Sequence, residues 1–276
     1  MIKLIALDMD GTLLNNERVI STRNCQAIQD AKRAGIRVVL SSGRPRKGLQ
    51  PYLEQLGLTS KDDFVISYNG SLVQCVESGE VLYQTYLKGS DVKAAFKVSQ
   101  QLGLDIHAFS VKQGLITHQN NQWTDLEAQT NDLTANEVDF NTLDDDEPFI
   151  KAMMLADEKR LTLAIKKIPD ALKRQYNIVR SAPFFLEVLH PACNKGIAVA
   201  KLCQLLDISA SDVMCVGDAE NDHAMLLFAG FSVAMENADT QTKALVDHIT
   251  SSNNNDGVAL VIEEQILQMK SRLISG

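Results

Sequence analysis

Two aspartates, Asp8 and Asp10, stand two places apart where an apolar run ends, in LIALDMDGTLLN, residues 4–15. Along an extended chain, residues i and i+2 share a face, so both carboxylates can look into one crevice. Gly11, directly after them, lets the backbone turn sharply. Carboxylates this close repel, which raises at least one pKa unless a cation sits between them. The pair also suits phosphorus chemistry, with one carboxylate attacking while the other handles the leaving group's proton. A strand-ending turn that carries two solvated acids is the structural alternative.

Three further stretches could join them. SSGRP, residues 41–45, directly follows IRVVL. A serine hydroxyl there, with free backbone N–H groups at the glycine, can cradle a phosphate; a plain Ser/Gly turn before Pro45, with Arg44 as a surface charge, fits the same residues. Lys195 in NKG sits at a helix start if Asn194 is the cap. An ammonium beside the positive helix end is unfavourable unless an anion binds there, although a lysine taken singly is most simply a solvated charge. In VGDAENDHAM, residues 216–225, Asp218 ends an apolar strand and Asp222 lies near a helix start, where negative charge is favoured. Capping accounts for Asp222, but Asp218, Glu220, Asn221 and Asp222 are dense for a cap alone. Oxygen ligands of this kind suit Mg²⁺, which binds one or two carboxylates plus phosphate and keeps several waters. Acid pair, hydroxyl, lysine and acid pair, each beside a strand end or helix start, together point to phosphoryl transfer.

The elements that must position these groups alternate in type. KLIALD, IRVVLSSG and DFVISYNG read as buried strands. Helices are expected between them in STRNCQAIQDAKRAG, with Ser21 or Thr22 as N-cap and Gly35 as stop, and in GLQPYLEQLG, whose inner proline blurs its start. This is the pattern of a parallel α/β sheet. After Gly70 the rhythm changes. SLVQCVESGEVLYQTYL and DIHAFSVKQGLITHQ read as hairpins, SDVKAAFKVSQQLG as a helix, and DFNTLDDDE as an acidic surface loop. PFIKAMMLAD and FFLEVLH read as strands, with one helix over EKRLTLAIKKIPDALKRQY between them. The parallel rhythm resumes with the helix NKGIAVAKLCQLLD, strand DVMCVGD, helix ENDHAMLLFAG, strand FSVAM, helix DTQTKALVDH and an amphipathic helix DGVALVIEEQIL. The fold class is therefore α/β: a Rossmann-like, doubly wound parallel sheet over 1–83 and 191–276, interrupted by an inserted α+β domain over 84–190. In such sheets ligands bind at the carboxyl ends of the strands, where the four polar groups fall.

Composition narrows the partners. The 276 residues carry a formal net charge of −8, which argues against a general nucleic-acid or anionic-membrane binder. Five dispersed cysteines read as reduced thiols. No apolar run approaches the ~20 residues that span a bilayer, and MIKLIALD is too short and too soon interrupted to be a signal peptide. A soluble cytoplasmic protein is expected.

DxDGT, a serine hydroxyl, a lysine and GDxxND, in this order, resemble the signature of the haloacid dehalogenase superfamily. LDMDGTLLN, SSGRP, YNG, NKG, GDAENDHAM, AGFSVAMENA and NNDGVALVIE together look like its Cof-type branch, phosphatases that carry a large α/β cap between the second and third motifs. The resemblance implies a phosphoric monoester hydrolase acting on small phosphorylated metabolites through an aspartyl-phosphate. It implies Asp8 as nucleophile and Asp10 as general acid/base. Mg²⁺ would be held by the Asp8 side chain, the Asp10 backbone carbonyl and Asp218. Phosphate contacts would come from the Met9 and Gly43 backbones, Ser42, Lys195 and Asn221, with Asp222 orienting Lys195 or a metal-bound water. Ser42 stands where many members have threonine, and either hydroxyl serves. A phosphomutase, or a non-catalytic module with a phosphorylatable aspartate, are the competing functions. In the inserted domain Tyr86, His107, His118 and Trp123 are candidates for substrate selection, with core or surface roles as the alternative. Neither the substrate nor the oligomeric state follows from the motifs.

Overall fold

The computed structural model describes residues 1–265. The chain divides into two compact units, Met1–Tyr83 together with the chain from Asn194 onward, and Gln84–Cys193. The first segment runs β1 (Leu4–Leu7), α1 (Thr22–Arg33), β2 (Arg37–Ser41), α2 (Arg46–Gln55), β3 (Phe64–Ser67), β4 (Leu72–Cys75) and β5 (Val81–Gln84). The inserted unit runs β6 (Leu87–Lys88), α3 (Gly89–Leu102), β7 (Asp105–Ser110), β8 (Gly114–Thr117), α4 (Gln122–Thr130), β9 (Ala135–Glu137), β10 (Pro148–Leu155), α5 (Glu158–Ile165), α6 (Asp170–Gln175), β11 (Asn177–Ala182) and β12 (Phe185–Leu189). The chain returns through α7 (Lys195–Leu205), β13 (Val213–Gly217), α8 (His223–Phe228), β14 (Phe231–Ala234), α9 (Thr240–Lys243) and β15 (His248–Ile249) to a helix over 257–265. The sequence predicts that last helix to residue 267, so its end lies outside the described residues.

In the first unit the strand order is β15-β14-β13-β1-β2-β3-β4-β5. Every pairing from β15 to β3 is parallel, and β4 runs antiparallel to β3. Side chains alternate across the sheet. Ile5 and Leu7 of β1 pack with Ala27, Ile28 and Leu53 of α1 and α2 and with Val258 and Ile262 near the C-terminus. Leu4 and Ala6 pack the other way, with Val199 and Leu202 of α7 and Leu226 of α8. The sheet is thus covered on both faces, which is why its strands read as unbroken apolar runs.

The inserted unit is built on a second, mixed sheet, β11-β12-β10-β7-β8-β9, with β6 also pairing β10. Its pairs are antiparallel except β8 with β9. One face carries α3, α5 and α6 through Phe96, Leu161 and Leu172. The single helix expected over 158–176 is two, α5 and α6, because Pro169 takes an extended ψ of 136° and cannot continue α5. The acidic stretch 139–147 is only partly a surface loop: Asp145 and Asp146 pair with Lys93 and Lys88 at 2.8 Å, but Phe140 and Leu143 enter the core and Glu147 is buried, accepting from Ser110 Oγ at 2.5 Å. Three elements, α4, β9 and β11, are invisible to periodicity because they bury few residues. The helix expected over 239–248 shrinks to one turn, α9, before β15 pairs with β14.

The candidate selector residues divide by burial: His107 is buried, whereas Tyr86, His118 and Trp123 are half-buried. His107 is fully buried between Thr124 Oγ1 and Met153 Sδ, each 3.1 Å away. His118 packs against the Phe96 ring, and Trp123 stacks on Phe184 at 5.0 Å. The Tyr86 hydroxyl donates to Gln84 Oε1 at 2.8 Å. All five cysteines are free thiols. No helix among the described residues is long and apolar enough to cross a membrane.

Candidate active site

β1 lies between β2 and β13, with Leu7 level with both Leu40 and Val216. The next residues up, Asp8, Ser41 and Gly217, therefore share one carboxyl edge. The chain leaves β1 towards β2 and leaves the adjacent β13 towards β14, in opposite directions, so this edge is a switch point where a crevice opens. Two glycines let the loops close over it. Gly11 has φ +88°, and a Cβ there would lie 2.4 Å from Asp218 Oδ2. A Cβ on Gly217 would lie 2.6 Å from that of Asp222.

Asp8, Lys195 and Asp222 meet in this edge, all buried, with 5%, 1% and 0% exposure. Asn194 caps α7 by accepting from the Ile197 amide, which sets Lys195 as the first helical residue. Its Nζ donates to Asp8 Oδ1 at 2.5 Å and to Asp222 Oδ1 at 2.6 Å. The other Asp222 oxygen accepts from the backbone amides of Asp218 and Ala219 at 3.0 and 3.1 Å. Thr12 Oγ1 donates to Asp218 Oδ1 at 2.8 Å.

The electrostatics follow from three carboxylates facing one ammonium. Burial, then the Asp222 charge, hold Asp8 well above the usual carboxylate range, while Lys195 pulls the other way. Burial and Asp222 push Asp218 up to about 6 against Thr12 and Lys195. Burial works against the Lys195 ammonium, but Asp222 and Asp8 outweigh it and raise its pKa, so it stays charged. One oxygen from each of Asp8, Asp218 and Asp222 can be chosen so that all lie within 4.8 Å of one another. Undercompensated negative charge in an all-oxygen set fits a hard divalent cation. Since Asp222 already accepts from Lys195 and two amides, Asp8 and Asp218 have the freer lone pairs.

The other side of the edge suits an anion. The amides of Met9 and Gly43 donate to no described residue. Ser42 Oγ accepts from the Arg44 amide at 3.2 Å, which leaves its own proton to donate elsewhere. The loop is fixed from behind by residues 68–70, where Tyr68 N donates to Arg44 O at 3.1 Å and Asn69 N to Ser42 O at 2.9 Å. Asn69, at φ 55°, also accepts from Asn221 Nδ2 at 3.1 Å, tying the Ser42 loop to the loop after β13. Asp10 stands apart from the carboxylate cluster. Its side chain is gripped by Arg44.

The chain is similar to known proteins along nearly its whole length. The family model for haloacid dehalogenase-like hydrolase matches residues 5–262. The chain belongs to that family. The Bacillus subtilis (strain 168) protein YxeH is 38% identical over 270 residues, 97% of this chain and 99% of YxeH. The 5-amino-6-(5-phospho-D-ribitylamino)uracil phosphatase YcsE of the same organism is 32% identical over 268 residues, 96% of each chain. A haloacid dehalogenase-like hydrolase from Bacteroides thetaiotaomicron superposes with a TM-score of 0.83 at 33% identity, covering 96% of this chain and 99% of that one. The protein is a phosphatase of the haloacid dehalogenase superfamily, in its Cof-type branch.

Of the signature residues singled out from sequence, Asp8, Lys195 and Asp222 form one buried cluster with the half-buried Asp218 beside it, while Ser42 and Asn221 are linked through Asn69. Lys195 is not a solvated charge, as it would be if taken singly; carboxylates from two other loops surround it. Reading by sequence passes over Thr12, Asn69 and Tyr52. The first two lie in the family-like stretches DGT and YNG, which is the only signal that could have marked them.

Proposed function

We propose that this phosphatase is Mg²⁺-dependent and hydrolyses small phosphorylated metabolites through an aspartyl-phosphate on Asp8. The observation that carries the reading is the buried Asp8–Lys195–Asp222 chain at the sheet edge, with Asp218 beside it. Lys195 holds the Asp8 carboxylate in place, and Asp222 anchors Lys195. Asp8 attacks the phosphorus of a monoester; its oxygen–phosphorus bond forms as the bond to the leaving oxygen breaks, and Asp10 gives that oxygen a proton. Water then attacks the same phosphorus and yields its proton to Asp10, the Asp8–phosphorus bond breaks, and inorganic phosphate leaves. Ser42, the Met9 and Gly43 amides, Lys195 and Asn221 receive the phosphoryl oxygens. The Asp8 and Asp218 side chains and the Asp10 carbonyl would hold Mg²⁺, whose charge would offset repulsion between the Asp8 carboxylate and a phosphate dianion.

The substrate class is a phosphomonoester of a sugar, sugar alcohol, nucleotide or cofactor, and the inserted unit selects among them. YcsE is named for a phosphate on a ribityl chain, which belongs in any panel. The test is phosphate release across such a panel with and without Mg²⁺, followed by rapid quenching. Asp8→Asn should form no phosphoenzyme. With a leaving group that needs no proton, Asp10→Asn should still form it and accumulate it on residue 8. Full activity in excess chelator, or phosphate recovered on another residue, overturns the reading; dependence on a sugar bisphosphate with little free phosphate identifies a mutase.

A further inference from the structure

Arg44 has no part in the scheme above, yet its surroundings are not those of a surface charge. Only 13% of its side chain is exposed. Its Nε donates to Asp10 Oδ2 at 2.9 Å and its Nη2 to Asp10 Oδ1 at 2.5 Å, so the guanidinium fork meets both carboxylate oxygens. On its other side the guanidinium carbon lies 5.4 Å from the centre of the Tyr52 ring, and Nη1 donates to the Tyr52 hydroxyl at 3.4 Å. Tyr52 comes from α2 and packs against the core cluster. The backbone of Arg44 is held as well, its amide by Ser42 Oγ and its carbonyl by the Tyr68 amide. The fork is therefore fixed at its root and at its tip.

Asp10 has the opposite character. Its side chain is 55% exposed, and among the described residues Arg44 alone bonds its carboxylate. An aspartate held by nothing else would spread over its rotamers, and the share of time spent aimed at a leaving oxygen would fall. A bidentate Arg–carboxylate pair restricts that freedom in a way a lysine, as a point charge, does not.

We propose that Arg44, braced by Tyr52, is a positioning residue that holds the Asp10 carboxylate in register with the reacting phosphate ester. The inference rests on Asp10 being the acid/base. Two contacts allow one oxygen to be given up to the leaving group or to water while the other keeps the orientation.

The test compares Arg44→Ala, Arg44→Lys, Asp10→Asn, the double variant Arg44→Ala/Asp10→Asn, and Tyr52→Ala. Each is assayed with an alkyl phosphate that the wild type hydrolyses and with para-nitrophenyl phosphate, whose leaving group needs no proton. Acid/base catalysis is worth about 10²–10⁴-fold, so Arg44→Ala should lower kcat on the alkyl ester by roughly 10- to 100-fold with little change in KM. Arg44→Lys should not restore it, and Tyr52→Ala should give a smaller loss of the same kind. The rate of phosphoenzyme formation from para-nitrophenyl phosphate should stay within about threefold of wild type, because that step bypasses the proton transfer. In the Asp10→Asn background, Arg44→Ala should change kcat by less than about twofold, as expected of two residues acting through one group. Independent, multiplying losses in the double variant, or a raised KM with kcat intact, would mean that Arg44 contacts substrate and would overturn the inference. Should Arg44→Ala fail to fold, Arg44→Gln carries the same comparison. If Asp10→Asn itself turns over the alkyl ester at the wild-type rate, the acid/base reading fails, whatever Arg44 does.

Discussion

Lys195→Met keeps an unbranched apolar stem but removes the ammonium that lies 2.5 Å from Asp8 and 2.6 Å from Asp222. Both carboxylates are buried, and Asp218 adds a third negative charge to the same cluster. Breaking a buried ion pair by deleting one partner costs about 3–5 kcal/mol, because the other charge is left uncompensated. Asp8 can escape part of that cost by taking a proton, since burial already holds its pKa high. The lower end of the range, about 3 kcal/mol in chelator at neutral pH, is therefore expected. For a chain of this size that corresponds to a fall in Tm of roughly 6–12 °C, at about 2–4 °C per kcal/mol. Because the variant's cluster is more negative, Mg²⁺ should raise its Tm by more than it raises that of the wild type. Adding Asp222→Asn, which removes one charge but keeps an oxygen for the Asp218 and Ala219 amides, should recover part of the loss. Urea and thermal unfolding followed by far-ultraviolet circular dichroism, with chelator and with Mg²⁺, measure all of this. A Lys195→Met variant within about 1 kcal/mol of wild type in chelator, the range of an ordinary surface change, would refute the idea that the ammonium holds the cluster together.

Gly11→Ala places an L side chain at φ +88°, which costs about 1–2 kcal/mol, and puts its Cβ 2.4 Å from Asp218 Oδ2. Calorimetric titration should show Mg²⁺ binding weakened by about 10-fold or more, and unchanged binding would remove Asp218 from the metal site. Ca²⁺ added to the Mg²⁺-supplied enzyme should suppress phosphate release, because it takes more ligands at longer distances and misplaces Asp8; stimulation by Ca²⁺ contradicts the metal geometry. Burial, and then the Lys151 charge, lower the His107 pKa to about 3. Between that value and the ordinary ~6.5, the unfolded chain binds a proton that the folded one does not. Stability should thus fall as pH drops through this window, by at most ~1.4 kcal/mol per pH unit from this group. Urea unfolding followed by the fluorescence of Trp123, the chain's single tryptophan, should show a shallower pH dependence in His107→Gln, and identical slopes would refute the assignment.

How far the sequence is legible depends on how local a residue's meaning is. Asp8 and Asp10, the Ser42–Gly43 turn and the Asp218–Asp222 cluster can be read because each lies beside its own apolar strand within a few residues. The same locality reveals β1, β2, β3 and β13, and it misleads where a breaker is overlooked, as at Pro169 between α5 and α6. Lys195 read singly is a solvated helix-start lysine, because nothing near it in the chain is anionic. Its partners come from position 8, 187 residues away, and position 222, 27 residues away. Thr12 meets Asp218 across 206 residues, Asn221 meets Asn69 across 152 and Arg44 meets Asp10 across 34. What brings these pairs together is the order of the parallel strands, β13-β1-β2-β3. That order puts the loops after four strands on one edge, and no periodicity within a single element encodes it. Arg44 shows the consequence. As one residue of a Ser/Gly/Pro turn it is any surface arginine, and only when the β2 loop is laid beside the β1 loop does its fork find a carboxylate to hold. Residues that bear charge at strand ends can thus be recognised before the fold is known, whereas the residues that aim them acquire a role only through the order of the strands.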